Sequence, residues 1–222
     1  LEVVEAAPCL ECAKLALVYR AGKPDKEAAK KQAEELGLTA PNDLAKLVSE
    51  REEAVQAVAA RLCANLPGAK TESLLLKTLR DKALRSDRPK AFAAVVDALG
   101  RLNCVKAQDE IKSEFGQYRS QEIMRACTRY FGQTRCKDEG VVRSLCEMLD
   151  SPQPAGVDDA SNPPASYWES RWKQWNWIRR DVAWTLKEIT GQAFQPADGD
   201  KTGDSKKALA WLRENGKKAG IK

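Results

Sequence analysis

The segment Tyr167–Trp184 reads YWESRWKQWNWIRRDVAW and holds five of the chain's six tryptophans, Trp168, Trp172, Trp175, Trp177 and Trp184. Arg171, Lys173, Arg179 and Arg180 are interleaved with them. Indole and guanidinium groups bring large contact area, stacking and directed hydrogen bonds, and they anchor recognition surfaces more than most side chains do. On a helix, spacings of four and three place Trp168, Trp172 and Trp175 on one face, while Trp177 and Trp184 fall on a second face with Asp181 between them. Two uses are open for so aromatic a run. Stripes at helical spacing ordinarily pack against a neighbouring helix, and part of this one can instead form a binding patch. The binding candidates are Trp168, Arg171, Trp172, Trp175 and Arg179, with Arg179 equally suited to a structural role.

Other chemistry is poorly provided for. The chain contains no histidine. That removes Ser-His-Asp and Cys-His catalysis, every His-containing metal site, and the commonest general base at neutral pH. No catalytic residue, metal ligand or cofactor is therefore assigned, and a non-enzymatic function is expected. Seven cysteines, an odd number, cannot all pair within the chain. Cys9 and Cys12 form a lone CxxC with no following His and no second CxxC, so haem attachment is excluded and a zinc site would need distant thiols. Cys63 and Cys127 each precede a glycine by five residues and are expected on buried helix faces. Buried, reduced thiols are the expected state. The chain begins at Leu1, which leaves room for a removed leader, so cytoplasmic and exported locations both stay open.

A net charge of +5 and a sequence pI near 8.8 are mildly basic, short of the concentrated positive charge of a typical nucleic-acid binder. No apolar run approaches the roughly 20 residues that a membrane-spanning helix needs.

The elements that must carry the tryptophans are helical throughout. Ala, Leu, Lys, Glu and Arg dominate, and Val and Ile are sparse. In Asn176–Gly191, Ile178, Val182, Leu186 and Ile189 form one apolar stripe that stops at Gly191. Reading upstream, helices are expected to close at Gly37, Gly68, Gly100 and Gly132, at intervals of 31, 32 and 32 residues. Second helices are expected over 43–50, 72–84, 105–115 and 139–149, with Pro24, Pro41 and Pro89 at helix starts. Ala91–Phe115 and Glu122–Leu149 align so that Gly100 meets Gly132 and Cys104 meets Cys136. A period in the thirties with two helices per unit is the mark of an α-solenoid. The alternative is a helical bundle whose glycines are evenly spaced by chance.

After Leu149 the period breaks, and about 27 residues are inserted before Gly191. The Pro- and Ser-rich stretch 151–166 is expected as an exposed loop. Ser166 and Glu169 have the form of a capping box for a long helix from about Tyr167. A final helix is expected from Asp204, as N-cap, to Asn215, with Gly216 as its stop and Leu209, Trp211 and Leu212 closing the array.

The paired Arg179 and Arg180 before a small, apolar run resemble the first helix of a HEAT-type repeat. Residues 176–216, with ITGQ-x-F followed by a loop and WLRENG, resemble the C-terminal end of many bacterial HEAT-repeat proteins. The resemblance implies an all-α, right-handed α-solenoid of about five HEAT-like hairpins in one elongated domain over 1–222. Its parts would be an N-terminal helix in 1–22, regular repeats over 23–149, an inserted loop at 150–166, and a Trp-rich helix and cap over 167–222. It implies a protein- or peptide-binding scaffold whose partner, process and oligomeric state the residues do not name. The alternative is nucleic-acid binding, including a DNA alkylpurine glycosylase of HEAT-like fold, for which Trp177 and Asp181 have a similar Trp-to-Asp spacing. A HEAT-like iron-dependent hydroxylase needs His ligands that this chain lacks.

Overall fold

The computed structural model describes residues 53–65, 67–117, 120–150, 165–198 and 201–222, with side-chain surroundings for all of these except Val55 and residues 165–177. The expectations for the N-terminal helix, for Cys9 and Cys12, for the helices before residue 50 and for residues 151–164 of the inserted loop lie outside the described residues. The described helices are α1 (Glu53–Cys63), α2 (Ala69–Leu79), α3 (Lys82–Asp87), α4 (Pro89–Arg101), α5 (Gln108–Phe115), α6 (Gln121–Gln133), α7 (Glu139–Glu147), α8 (Ala165–Thr190) and α9 (Ser205–Asn215), with a 3-10 turn over Val105–Ala107. Among the described residues there is no strand, only an isolated bridge between Asp198 and Lys201. The fold is all-α. The chain divides into two compact units, Leu1–Glu114 and Phe115–Lys222.

In the first unit, α4 begins at Pro89, whose missing N–H has no intrahelical partner to lose there. Its Ala- and Val-rich face packs on α1, and small side chains on both helices let them approach closely. Register follows from three hydrogen bonds. Glu53 accepts from the Lys90 N–H at 2.7 Å, Gln56 from Arg88 at 2.9 Å, and Asn65 from Arg101 at 2.9 Å. Starts meet starts and ends meet ends, so α1 and α4 run parallel. The second helices do the same, with Glu72 against Lys106, Arg80 against Glu110 and Arg85 against Glu114. Leu75, Leu79, Leu84, Phe92, Leu99 and Ile111 form a fully buried core, each contributing about 1.5–3 kcal/mol by its removal from water.

One expected helix is two. The stretch 72–84 breaks at Asp81, whose carboxylate accepts from the Ala83 N–H at 2.9 Å and starts α3. A short acidic side chain that bonds the backbone two residues on competes with helix continuity.

Of the periodic glycines, the three that are described, Gly68, Gly100 and Gly132, are not the left-handed helix stops they were expected to be. Gly100 and Gly132 lie inside α4 and α6 and are buried. The left-handed position falls three residues later, at Asn103 (φ 54°) and Arg135 (φ 49°). In both turns the following cysteine N–H reaches back five residues, Cys104 to the Leu99 carbonyl and Cys136 to the Phe131 carbonyl, each at 2.9 Å. Asn103 bonds Gly100 and Arg135 bonds Gly132 in the same way. These are two matching Schellman closures 32 residues apart. Gly68 likewise does not end α1, which stops at Cys63; it sits at the N-cap of α2. Gly191, at φ 75°, does end α8.

In the second unit, α6 and α8 pack most extensively. Thr185 donates to the Thr128 carbonyl at 2.8 Å, and Lys137 to the Ile189 carbonyl at 3.1 Å. These helices too run parallel. The stripe Ile178, Val182, Leu186 and Ile189 of α8 is buried, as are Ile123, Cys127 and Tyr130 of α6, the helix it packs on most. Phe115 meets Phe131 edge-on, with centroids 5.2 Å apart.

The segment after Gly191 turns back along α8. Ala197 donates to the Leu149 carbonyl at 2.7 Å, and Gly203 to Asp150 at 2.6 Å. Helix α9 therefore starts at the end of α7 and runs back along it, and beyond α9 the Lys222 carbonyl accepts from the Glu139 N–H at 2.7 Å. So α7 and α9 are antiparallel, unlike α1 with α4 or α6 with α8. Asp204 does sit at the N-cap of α9, but its carboxylate accepts from the Gln195 N–H at 2.9 Å instead of from α9. Gly216 caps α9 in the right-handed region, and the positive φ comes later, at Gly220. Helix α8 begins at Ala165, which places the expected N-cap Ser166 inside the first turn. Alanine extends a helix at little cost, so the capping box does not set the start.

Cys63, Cys104, Cys127, Cys136 and Cys146 are buried thiols, none of them in a disulfide. Burial pushes Cys63 up to about 12, and burial together with Glu147 does the same to Cys146. Cys104 is raised as well, first by burial and then by Glu72. The thiolate is the reactive form, so the raised values of Cys63, Cys104 and Cys146 disfavour reaction while the chain is folded, and burial shields Cys127 and Cys136. At neutral pH, maleimide followed by peptide mass mapping should leave all five unmodified until urea is added. Fast labelling of any one in native buffer would contradict its burial. The folded state also holds protons that the unfolded chain gives up above the ordinary value of 9.0, so this contribution to stability is complete below that pH and is lost as pH rises towards about 12.

Candidate functional site

Helix α8 carries every residue singled out for binding. Trp168, Arg171, Trp172 and Trp175 lie in its first half, where the helical spacing puts the three tryptophans on one face. Their side chains, and that of Trp177, lie outside the described residues.

Arg179 is placed inside the unit. It is 4% exposed, and its guanidinium donates through Nη1 to the Ala197 carbonyl at 3.0 Å. Its buried Nε has no hydrogen-bond partner. Burial lowers its pKa from the ordinary value, and the charges of Asp150 and Asp198 oppose that shift. Arg179 is thus buried with Nη1 directed at the returning segment, an arrangement that suits the structural role.

Five residues on, the helix presents a different surface. Trp184 is 40% exposed, whereas Ile178, Val182, Leu186 and Ile189 on the opposite stripe are buried. The ring does not stand free. A Cβ placed on Gly132 of α6 would meet Trp184 Cζ3 at 2.6 Å and Thr185 Oγ1 at 2.9 Å. The buried glycine is the seat that lets the indole lie against α6.

Beside it, Asp181 accepts from Arg125 Nε at 2.8 Å and from Arg129 Nη1 at 3.1 Å. The three side chains are 17%, 34% and 28% exposed, so the network is partly shielded from water. An exposed ion pair is worth about 0–1 kcal/mol, and two guanidiniums on one half-buried carboxylate hold their geometry better than a lone pair does. The carboxylate on which the glycosylase alternative relies is thus bound to the neighbouring helix. Arg125 and Arg129 were not among the binding candidates. Their four-residue spacing on α6 was a legible sign of a shared face, but their meeting with Asp181 spans more than fifty residues of sequence.

Among the described residues, no group of three or more Cys, Asp or Glu side chains is placed to hold a metal ion, and no helix is long and apolar enough to cross a membrane. What the geometry offers is an aromatic and arginine surface on paired helices of an all-α protein. No protein-family model matches the chain, and no curated protein matches it.

Proposed function

We propose that the chain is a HEAT-like α-solenoid that serves as a protein- or peptide-binding scaffold, and that the α6–α8 face around Trp184 is one of its docking surfaces. The repeat part of this reading is supported by the parallel register of α1 with α4, of α2 and α3 with the 3-10 turn and α5, and of α6 with α8, and by two matching turns 32 residues apart. The single observation that carries the binding part is Trp184. A large aromatic side chain, 40% exposed and seated on a buried glycine, presents rigid apolar area beside the Arg125–Asp181–Arg129 network. Trp and Arg are the residue types that dominate binding energy at interfaces. A partner would lay an apolar side chain on the indole and place acceptors along the arginine edge. Trp168, Arg171, Trp172 and Trp175, earlier on α8, are the next residues to test.

Quantitative partner capture by the immobilised chain tests this. Trp184→Ala should lower recovery roughly tenfold or more, the loss of a strong anchor. Its melting temperature should fall by only a few degrees, about what 1–2 kcal/mol of lost packing produces in a chain of this size. Equal recovery by the variant would sink the reading. So would captured material that disappears on nuclease treatment.

A further inference from the structure

A second surface lies in the first unit and is independent of the Trp184 face. Helix α2 buries Thr71, Leu75 and Leu79. Its other side carries Ala69, Glu72, Leu76 and Lys77, with Arg80 at its C-cap, at helical spacing. With Lys106 from the 3-10 turn, these residues line an open trough of about 400 Å³.

Leu76, half-buried, and Ala69 give the trough an apolar floor. Its rim is cationic, with Lys77, Arg80 and Lys106 against the single lining carboxylate of Glu72. Lys106 holds that carboxylate only at 3.9 Å and is 77% exposed. Arg80 is 62% exposed even while it bonds Glu110 at 2.8 Å. Lys77 is exposed and makes no ion pair among the described residues. Arg80 gives Glu110 two donors, Nε at 2.9 Å and Nη2 at 2.8 Å. An ion pair this exposed is nevertheless worth only about 0–1 kcal/mol and yields to a competing carboxylate at little cost.

We infer that this trough docks an acidic peptide segment, with an apolar side chain over Leu76 and carboxylates reaching Lys77, Arg80 and Lys106. Charge complementarity selects the occupant. Single-stranded nucleic acid fits less well, because no aromatic side chain lines the trough to stack an unpaired base.

The test uses the full chain and a short fluorescein-labelled glutamate-rich peptide with one central leucine, followed by anisotropy at low and physiological salt. A lysine-rich peptide of the same design and a labelled single-stranded oligonucleotide run beside it. The glutamate peptide should bind and weaken with salt, while the lysine peptide should not bind. Lys77→Glu with Lys106→Glu should weaken binding about tenfold or more, since like charges then face the ligand. Trp184→Ala should bind the peptide as the parent does, which keeps this result separate from the fate of the other surface. Ser73→Trp, at an exposed position lining the trough, should block the same binding without reversing any charge. The inference is overturned if the glutamate peptide fails to bind at low salt, or if the charge-reversed variant binds it equally well. It is also overturned if the oligonucleotide binds more tightly than the peptide and is lost in the same variants.

Discussion

Gly132→Ala should destabilise the protein by about 1–3 kcal/mol, although alanine is the better helix former. The added Cβ would sit 2.6 Å from Trp184 Cζ3, 2.9 Å from Thr185 Oγ1 and 3.1 Å from Thr185 Cα. The ring could swing away, but the Thr185 backbone belongs to α8 and moves only with the helix. Thr185 is further pinned by its hydrogen bond to the Thr128 carbonyl. Separating α6 from α8 would loosen the main packing of the second unit. Gly191 provides the contrast. At φ 75° with nothing within 4 Å of a new Cβ, its need is conformational. Gly191→Ala should cost about 1 kcal/mol through left-handed strain, and Gly191→Asn should recover part of it. At Gly132, asparagine should be no better than alanine. Urea midpoints for the four variants decide the matter, and a Gly132→Ala protein as stable as its parent would refute the close approach.

Arg179→Ala should lower stability by about 2–4 kcal/mol, between the worth of a hydrogen bond to a charged group and that of a broken buried ion pair. The guanidinium ties α8 to the Ala197 carbonyl. Its removal would also leave the charges of Asp150 and Asp198 without the buried cation they face. The returning segment would lose its hold on α8, and with it the placement of α9 on α7. Arg179→Met should regain much of the loss, because it fills similar space and removes the buried, unpartnered Nε. A recognition role gives the opposite pattern, with both variants melting like the parent and failing to bind. Thermal melts of the purified chain, with no partner present, separate the two.

The features legible in the sequence are those that local chemistry decides. Helical composition, the 32-residue spacing, the start of α4 at Pro89 and the buried stripe Ile178–Val182–Leu186–Ile189 depend on residues within a few turns of one another. The pairing of Cys104 with Cys136 as equivalent positions was legible for the same reason, and both close matching turns.

What the tertiary structure decided are the roles set by distant neighbours. A glycine near a helix end suits a left-handed cap or a close crossing equally well. Gly132 serves the crossing because Trp184 and Thr185 lie against it, while Arg135 takes the left-handed position. Arg179 and Trp184 share a helix and suit an interface equally by type. One is buried and the other exposed, because the segment after Gly191 folds back over the first and leaves the second uncovered. Asp204 holds Gln195 rather than capping α9 for the same reason. Spacing along the chain determined that helices form and which face of each is apolar. Which of their polar and aromatic groups meet water depended on packing between residues far apart in sequence, where local preference carries no information.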